Sequence, residues 1–342
     1  MKNHITLTAF TFCMTASCFA QSDEYVRVVC WSDPDFDQEY ELCLPPEDEN
    51  IFKDVAIGYR YTVAIRPDGT ITHWGDCGSN TCYAPKGVFK KLYAGERLGY
   101  AQDEDGRLTS FGSPDGNLLT LDSVDANFVD VEITRSGQSL GLTDTGDLWV
   151  ADELGDCPLD VIASGVSQFA VYNTDFVLTL EGESWNAYGI GGNCGYDNWS
   201  GILNFANTNY PDTAGLKIYS NQDAIFFLDA AGVLKAWCYD GVDQNCYDMP
   251  VNVIFESFHS DAWAYEVSGL RPNGDIVVFG GGQNWGTPDI EPLSVQISRF
   301  HAIALMSADQ PVTFCTTDSN KDGVVDFQDL IELLSSWGPC SG

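Results

Sequence analysis

The residues best placed for chemistry lie near the C-terminus, in the segment DSNKDGVVDFQDLIELLSSWG, residues 318–338. Counted from Asp318 as position 1, oxygen-bearing groups fall at positions 1, 3, 5, 7, 9 and 12, with Gly323 at position 6. A hard divalent cation takes six to eight oxygen ligands, and the glycine permits the sharp turn of such a loop. The spacing predicts a calcium site. Its ligands are the side chains of Asp318, Asn320, Asp322, Asp326 and Asp329 and the backbone carbonyl of Val324.

The segment around this loop resembles a known attachment module. The spacing is that of an EF-hand loop, but VTFCTT, residues 312–317, is too short for an entering helix. Downstream, apolar residues recur at helical spacing, namely Phe327, Leu330, Ile331, Leu334 and Trp337. A calcium loop with only the exiting helix resembles a dockerin repeat, present here in one copy that Cys315 and Cys340 flank. The resemblance implies attachment, either to a cohesin-like receptor or to a cell-surface component.

The chain before this module repeats a weak unit with a turn glycine in each copy. Those glycines are Gly69, Gly106, Gly146, Gly182, Gly232 and Gly274, and their spacings are 37, 40, 36, 50 and 42 residues. Two-residue turns such as Asp68-Gly69 and Asn273-Gly274 between strand-length runs predict β-hairpins, because these pairs supply positive φ angles. A period near forty, built from strands without helices, predicts an all-β propeller. A β-solenoid is less favoured because its coils are usually shorter.

The repeat resembles that of a known propeller family. GYRYTVAIRPDGTITHWGD, residues 58–76, and FGGGQNWG, residues 279–286, are similar to the regulator-of-chromosome-condensation repeat. The resemblance implies a seven-bladed β-propeller over residues 51–314, followed by the small EF-hand-like or dockerin-like module at 315–342. The seventh repeat is cut short, and EYVRVVC within residues 21–50 could add a strand that closes the ring. Six full blades plus a stub is the alternative.

The N-terminus indicates an exported protein, secreted or held at the cell surface. Residues 1–20 carry Lys2, a short apolar run and small residues up to Ala20, which is the layout of a signal peptide. A bacterial lipoprotein that starts at Cys18 is the alternative. No later stretch is long and apolar enough to span a bilayer.

Acidic residues outnumber basic ones 50 to 16, so the net charge of −34 disfavours nucleic acid as a partner.

The number of cysteines also agrees with export to an oxidising compartment. Ten of the twelve follow the predicted signal peptide, and an even number in an exported chain predicts disulfides. Local spacing favours the pairs Cys30–Cys43, Cys77–Cys82, Cys238–Cys246 and Cys315–Cys340, which leaves Cys157 and Cys194. Zinc is less favoured, because no C-x-x-C pair occurs and the four histidines are scattered.

Candidate ligand contacts lie in the loops between repeats, where aromatic residues stand beside amides and acids. They are Tyr196, Trp199, Tyr239 and Trp285. Flat aromatic faces next to hydrogen-bonding groups bind sugar rings or protein hot spots, or alternatively cap the ends of blades. GIGGNCG, residues 189–195, is glycine-rich, but no helix pattern follows it, which predicts a plain loop.

No catalytic motif is present in the sequence, and we assign no catalytic residue. His73 and His301 are expected to pack or to form hydrogen bonds. We expect a non-enzymatic binding or scaffold protein of the cell envelope, with a protein or glycan on the propeller and a calcium-dependent anchor at the C-terminus. The alternative is an extracellular polysaccharide-acting enzyme, or a component of an enzyme complex, because dockerin-like modules often accompany such enzymes.

Overall fold

The structure is a computed structural model. It describes residues 25–32, 42–43, 45–46, 51–76, 83–112, 120–134, 137–151, 159–172, 176–190, 199–221, 223–238, 249–250, 253–260, 266–280, 290 and 292–307. The predicted signal peptide and the predicted calcium loop lie outside the described residues, as do Tyr196, Tyr239 and Trp285. So do Cys77, Cys82, Cys157, Cys194, Cys246, Cys315 and Cys340.

Strands dominate the described residues. In chain order they are β1 Val26–Ser32, β2 Asp54–Ile57, β3 Tyr61–Ile65, β4 Ile71–Gly75, β5 Lys91–Ala94, β6 Leu98–Gln102, β7 Leu108–Gly112, β8 Phe128–Ile133, β9 Ser139–Thr143, β10 Leu148–Ala151, β11 Asp160–Ala163, β12 Val166–Tyr172, β13 Phe176–Glu181, β14 Ser184–Gly189, β15 Lys217–Ser220, β16 Ala224–Leu228, β17 Leu234–Cys238, β18 Ser257–His259, β19 Glu266–Leu270, β20 Ile276–Gly280, β21 Ser294–Ile297 and β22 His301–Ser307. A short 3-10 helix covers Leu121–Ser123, and one α-helix, α1, covers Ser200–Asn209.

The strands form seven small antiparallel sheets within the described part of the chain, so the prediction of an all-β fold is confirmed. In chain order, sheet 1 is β2–β4, sheet 2 is β5–β7, sheet 3 is β8–β11, sheet 4 is β12–β14, sheet 5 is β15–β17 and sheet 6 is β18–β20; sheet 7 has the order β21–β22–β1. We call β2, β5, β8, β12, β15, β18 and β21 the inner strands. Each of them is an edge strand of its sheet.

The middle strands explain why the sequence shows apolar runs instead of alternation. Strands β3, β6, β9 and β16 are buried at every residue. In β16, Ile225 and Phe227 join a core cluster with sheet 4, whereas Phe226 packs with Phe258 of sheet 6. Sheets covered on both faces need apolar residues at successive positions. The core is therefore a series of layers between neighbouring sheets.

Hairpin turns follow the repeat, with one difference from the prediction. All six turn glycines have positive φ, between 62° and 87°. The two-residue turn expected at Asp68-Gly69 is instead a three-residue turn: the amide of Arg66 donates to the carbonyl of Thr70, and the Gly69 amide donates back to Arg66. The same pattern recurs around Gly106, Gly146, Gly232 and Gly274, while Gly182 sits in a two-residue turn between Glu181 and Ser184. One left-handed glycine suffices for the longer turn.

The N-terminal strand completes the last sheet. Strand β1 pairs antiparallel with β22 from Val26 opposite Ser307 to Ser32 opposite His301. A disulfide joins Cys30 in β1 to Cys43, with the Cα atoms 5.3 Å apart. The first and the last parts of the chain are thus held in one sheet.

Sheets 1 and 7 also pack against each other. Ile303 and Leu305 of sheet 7 share a core cluster with Val55 and Trp74 of sheet 1. The fully buried His301 side chain lies 3.0 Å through Nε2 from Thr62 Oγ1, so the expected hydrogen-bonding role of this histidine is confirmed. The two ends of the repeat array are therefore in direct contact.

Helix α1 corrects the prediction that no helix follows the glycine-rich segment at 189–195. Its buried residues Ile202, Phe205 and Ala206 occur at i, i+3 and i+4, and they pack into the cluster between sheets 4 and 5. This insertion lies within the longest repeat interval, between Gly182 and Gly232. Among the described residues, no helix is both long and apolar enough to cross a membrane.

Candidate functional site

One cavity of about 270 Å³ is lined by residues from all seven inner strands or from the position directly after one of them. Sheets 1 to 3 contribute Asp54, Lys91 and Glu132, and sheets 6 and 7 contribute His259 and Gln296. Edge strands that converge on one space leave their unpaired backbone groups there. The cavity is therefore polar at its wall although the sheets behind it are apolar.

Two carboxylates satisfy these backbone groups across neighbouring sheets. Asp54 of sheet 1 accepts a hydrogen bond at Oδ2 from the amide of Leu92 in sheet 2, at 2.7 Å. Glu132 of sheet 3 accepts at Oε2 from the amide of Val171 in sheet 4, at 3.2 Å, and from Ser220 Oγ in sheet 5, at 3.0 Å. Each carboxylate thus joins inner strands that are far apart in sequence.

Neutral side chains make equivalent links between neighbouring sheets. The amide of Ile297 in sheet 7 donates to Nδ1 of His259 in sheet 6 at 3.1 Å, and Gln296 Nε2 donates to the carbonyl of Val55 at 2.8 Å. Because Nδ1 of His259 accepts, the proton of the neutral ring is at Nε2. Gln168 links sheets 4 and 5 in the same way, through Leu216 and Ile218.

The packing shifts the protonation of the acidic wall. The pKa of the Glu132 carboxyl is raised to about 8, chiefly by burial and also by the nearby Asp130 carboxylate. Burial raises the pKa of Asp54 to about 6, although the Leu92 amide and Lys91 favour its charged form. The Asp130 carboxyl keeps access to water, yet the surrounding protein reduces its hydration and raises its pKa. Burial lowers the pKa of His259 to about 4, so this ring is neutral at pH 7.

Two hydroxyl groups at the cavity lack hydrogen-bond partners within the described part of the chain. They are Tyr93 Oη and Ser260 Oγ, and both atoms are buried. Tyr93 as a whole is only 8% exposed, and the Lys91 ammonium lies 4.6 Å from the centre of its ring. Buried hydroxyl groups are nearly always paired with protein, water or a ligand. The described residues therefore do not account for the pairing of these two hydroxyl groups.

Metal-ligating residue types at the cavity are not grouped in the described part of the chain. Among the described residues, no group of three or more histidine, cysteine or acidic side chains is arranged to hold a metal ion. The predicted calcium ligands, residues 318–329, lie outside the described residues, and the calcium site stays a prediction.

Of the predicted ligand-contact aromatics, the structure describes Trp199. Its ring stacks on Phe176 with the ring centres 4.4 Å apart, and it packs against the core cluster of sheets 4 and 5. One face of Trp199 is thus covered by the protein.

Sequence reasoning missed Asp54 and Glu132. The signal that could have found them is an acid within the first apolar run of a repeat, in DVAI at Asp54 and DVEI at Asp130.

Comparisons with known proteins show the fold. Yeast RCC1 (Prp20), solved with Kap60, is similar with a TM-score of 0.61 at 12% identity over 92% of each chain. Human WBSCR16 is similar with a TM-score of 0.57 at 13% identity over 83% of this chain and all of that one. The ectodomain of the Arabidopsis thaliana receptor kinase ACR4 follows at 0.52, with 10% identity over 76% of this chain and 97% of that one. No protein-family model and no curated protein matches the chain.

These likenesses agree with the sheets described above. The chain is a β-propeller-like protein whose repeats resemble those of RCC1. At such low identity the similarity extends to the fold and not to a binding partner or an activity.

Proposed function

We propose that the protein is an exported, non-enzymatic binding or scaffold β-propeller of seven blades, held at the cell envelope by a calcium-dependent C-terminal module. The observation that carries the binding role is the use of the cavity carboxylates. Asp54 and Glu132 accept hydrogen bonds from the inner strands of neighbouring sheets, and these bonds have a structural role. Because each of these acids already holds two inner strands together, a structural role explains its presence, and this favours a binding protein over an enzyme.

Seven blades are supported by the arrangement of the sheets. The cavity is lined from all seven sheets, and sheet 7 contacts sheet 1 through Gln296 and His301. A ring of sheets that meets itself in this way exposes no long unpaired edge. Strand β1 would then be the outer strand of the closing blade.

A macromolecular partner is supported by the comparison. Saccharomyces cerevisiae Prp20p, which is similar to this chain with a TM-score of 0.59, is described with its binding to Gsp1p and histones. A propeller of this kind can therefore serve as a protein-binding platform. Export and the net charge of −34 argue for a different class of partner here, an extracellular protein or glycan.

Anchoring is supported by the sequence of the terminal segment, and calcium titration tests it. We expect the full chain to bind one calcium ion in that segment, and the double variant Asp318→Ala, Asp322→Ala to lose this binding, because two carboxylate ligands are removed. Isothermal titration calorimetry of the two proteins measures the difference. The control is Glu183→Ala, Glu256→Ala, which removes the same charge from exposed positions in the propeller. Equal calcium binding by all three proteins would end the anchoring proposal.

A polysaccharide-acting enzyme is the second candidate. The specific observation in its favour is that Asp54 and Glu132 line the same cavity, with Glu132 largely protonated at pH 7 as a general acid would be. Incubation with extracellular polysaccharides, followed by a reducing-end assay and by affinity-gel retardation, separates the candidates. Retardation without new reducing ends supports binding. New reducing ends that disappear in Glu132→Gln would establish the enzyme instead.

A further inference from the structure

The central cavity has the features of a ligand site that the anchoring module does not explain. Tyr93 is more than nine-tenths buried, lines the cavity, and has a buried hydroxyl with no partner within the described residues. Ser260 lines the same cavity, and its Oγ atom is also buried with no partner within the described residues. Since buried hydroxyl groups are normally paired, both are acceptors beside the cavity that the described residues leave unpaired.

The charge of the wall indicates the class of that molecule. Asp54 and Glu132 line the cavity, and Asp130 lies close enough to act on the charge of Glu132. Of the described lining residues, Lys91 is the one with a permanent positive charge, since His259 is neutral. Carboxylates withdrawn from water are stable when a cation pairs with them. The described lining thus places two carboxyl groups against one ammonium group.

The free acceptor atoms match an organic cation better than a metal ion. Within the described residues, no donor reaches Oε1 of Glu132, because both of its hydrogen bonds end on Oε2. The half-buried ring of Tyr219 also lines the space, and aromatic faces attract ammonium groups. No metal-binding cluster occurs among the described residues, whereas an ammonium needs only two or three acceptors.

We propose that the cavity binds a small organic cation, whose ammonium group pairs with Glu132 and Asp54 and donates hydrogen bonds to Tyr93 and Ser260. The volume of about 270 Å³ is suited to a compact amine rather than to a polymer. This inference does not depend on the calcium module. It adds a small-molecule site to a protein whose proposed partner is a macromolecule.

Binding should be linked to proton release. An ammonium near Glu132 favours the charged carboxylate, whose pKa is about 8 in the free protein. The other titratable and charged groups around it are Asp54, Lys91, Tyr93, Asp130, Tyr219 and His259. At pH 7 Glu132 is mostly protonated, so it must lose its proton when the cation binds.

The experiment is calorimetric titration of the full-length protein with 1,4-diaminobutane, at pH 7, in physiological salt and with a calcium chelator present. Titrations in two buffers of different ionisation enthalpy count the protons released. We expect saturable binding with release of a proton, and no binding of the neutral analogue 1,4-butanediol. Glu132→Gln should weaken binding at least tenfold and remove the proton release. Glu183→Gln, on an exposed turn, is the matched control and should bind as the parent does.

Tyr93→Phe keeps the test decisive if Glu132→Gln fails to fold. This variant removes a hydroxyl without a described partner, so it should fold normally and bind the diamine several-fold more weakly. The proposal is overturned if the diamine gives no saturable heat, if butanediol binds equally well, or if Tyr93→Phe and a folded Glu132→Gln retain full affinity. Equal weakening by Glu183→Gln would also overturn it, because attraction to the acidic surface would then explain the binding.

Discussion

Gly182 and Gly232 both close hairpins with positive φ, 62° and 80° respectively, but their surroundings differ. A Cβ atom added to Gly182 would have no neighbour within 4 Å. One added to Gly232 would lie 2.5 Å from the carbonyl oxygen of Phe255, whose amide is bonded to Gly232 itself. The same substitution at these two positions therefore separates backbone strain from collision with the segment that leads into β18.

Alanine at the two glycines should have unequal effects. Gly182→Ala should lower the free energy of unfolding by about 1 kcal/mol, because the left-handed conformation strains an L residue by about that amount. Gly232→Ala should lower it by about 3 kcal/mol, because displacement of the Phe255 backbone adds to the strain. Urea unfolding followed by tryptophan fluorescence measures both values. Equal losses would contradict the close approach of sheet 6.

At the scale of the element, strand β1 depends on the disulfide that fixes it. Cys30 lies within β1 and Cys43 lies beyond its end, 13 residues along the chain. β1 is an edge strand that pairs along its length with β22 and exchanges two further backbone hydrogen bonds with Phe52, and all of its residues are partly exposed. An edge strand with so little burial gains much of its stability from a covalent tie.

Removal of this tie should loosen sheet 7. Cys30→Ser, Cys43→Ser should lower the free energy of unfolding by about 2–3 kcal/mol, the range for a closed loop of this length. Amide hydrogen exchange should speed up in β1 and along the paired edge of β22, while β3 of sheet 1 keeps its protection. The parent protein under oxidising conditions is the control. Unchanged exchange in β1 would show that strand pairing alone holds it.

Across the whole molecule, the pKa of the Glu132 carboxyl depends on how sheets 3, 4 and 5 pack around the cavity. Its pKa in the folded protein is about 8, compared with 4.5 for a free carboxyl. The folded state therefore holds this proton more tightly than the unfolded chain, and Glu132 favours folding below pH 4.5. That contribution is lost as the pH rises towards 8. His259, whose pKa is lowered to about 4, acts in the opposite sense, since its contribution is lost as the pH falls below 6.5.

Glu132→Gln should remove the Glu132 part of this pH dependence. Glutamine keeps an oxygen for the Val171 amide and Ser220 but cannot ionise. Between pH 5 and pH 8 the parent should lose roughly 2 kcal/mol more stability than the variant, a value discounted because the side chain is only partly buried. Urea unfolding at the two pH values measures the difference. Asp160→Asn, at an exposed position, should follow the parent. Parallel curves for the parent and Glu132→Gln would show that Glu132 is hydrated.

Local features of this protein follow from the order of residues along the chain. The turn glycines, the flanking apolar runs and the repeat period are enough to predict hairpins and small sheets, because a hairpin depends on residues that are adjacent in the chain. The same local reasoning missed α1, since its short pattern of Ile202, Phe205 and Ala206 is stabilised by packing against sheets 4 and 5. It also placed two residues instead of three in most turns.

Which acidic residues line the cavity depends on how the seven sheets pack together. The chain has fifty acidic residues, and the local signal of an acid within the first apolar run of a repeat does not show which of them reach the cavity. Their raised pKa values come chiefly from loss of water, which follows only after the seven inner strands converge, whereas the hydrogen bonds from other sheets favour the charged forms. Loss of hydration is a property of packing in three dimensions, so it cannot be read from the order of residues along the chain.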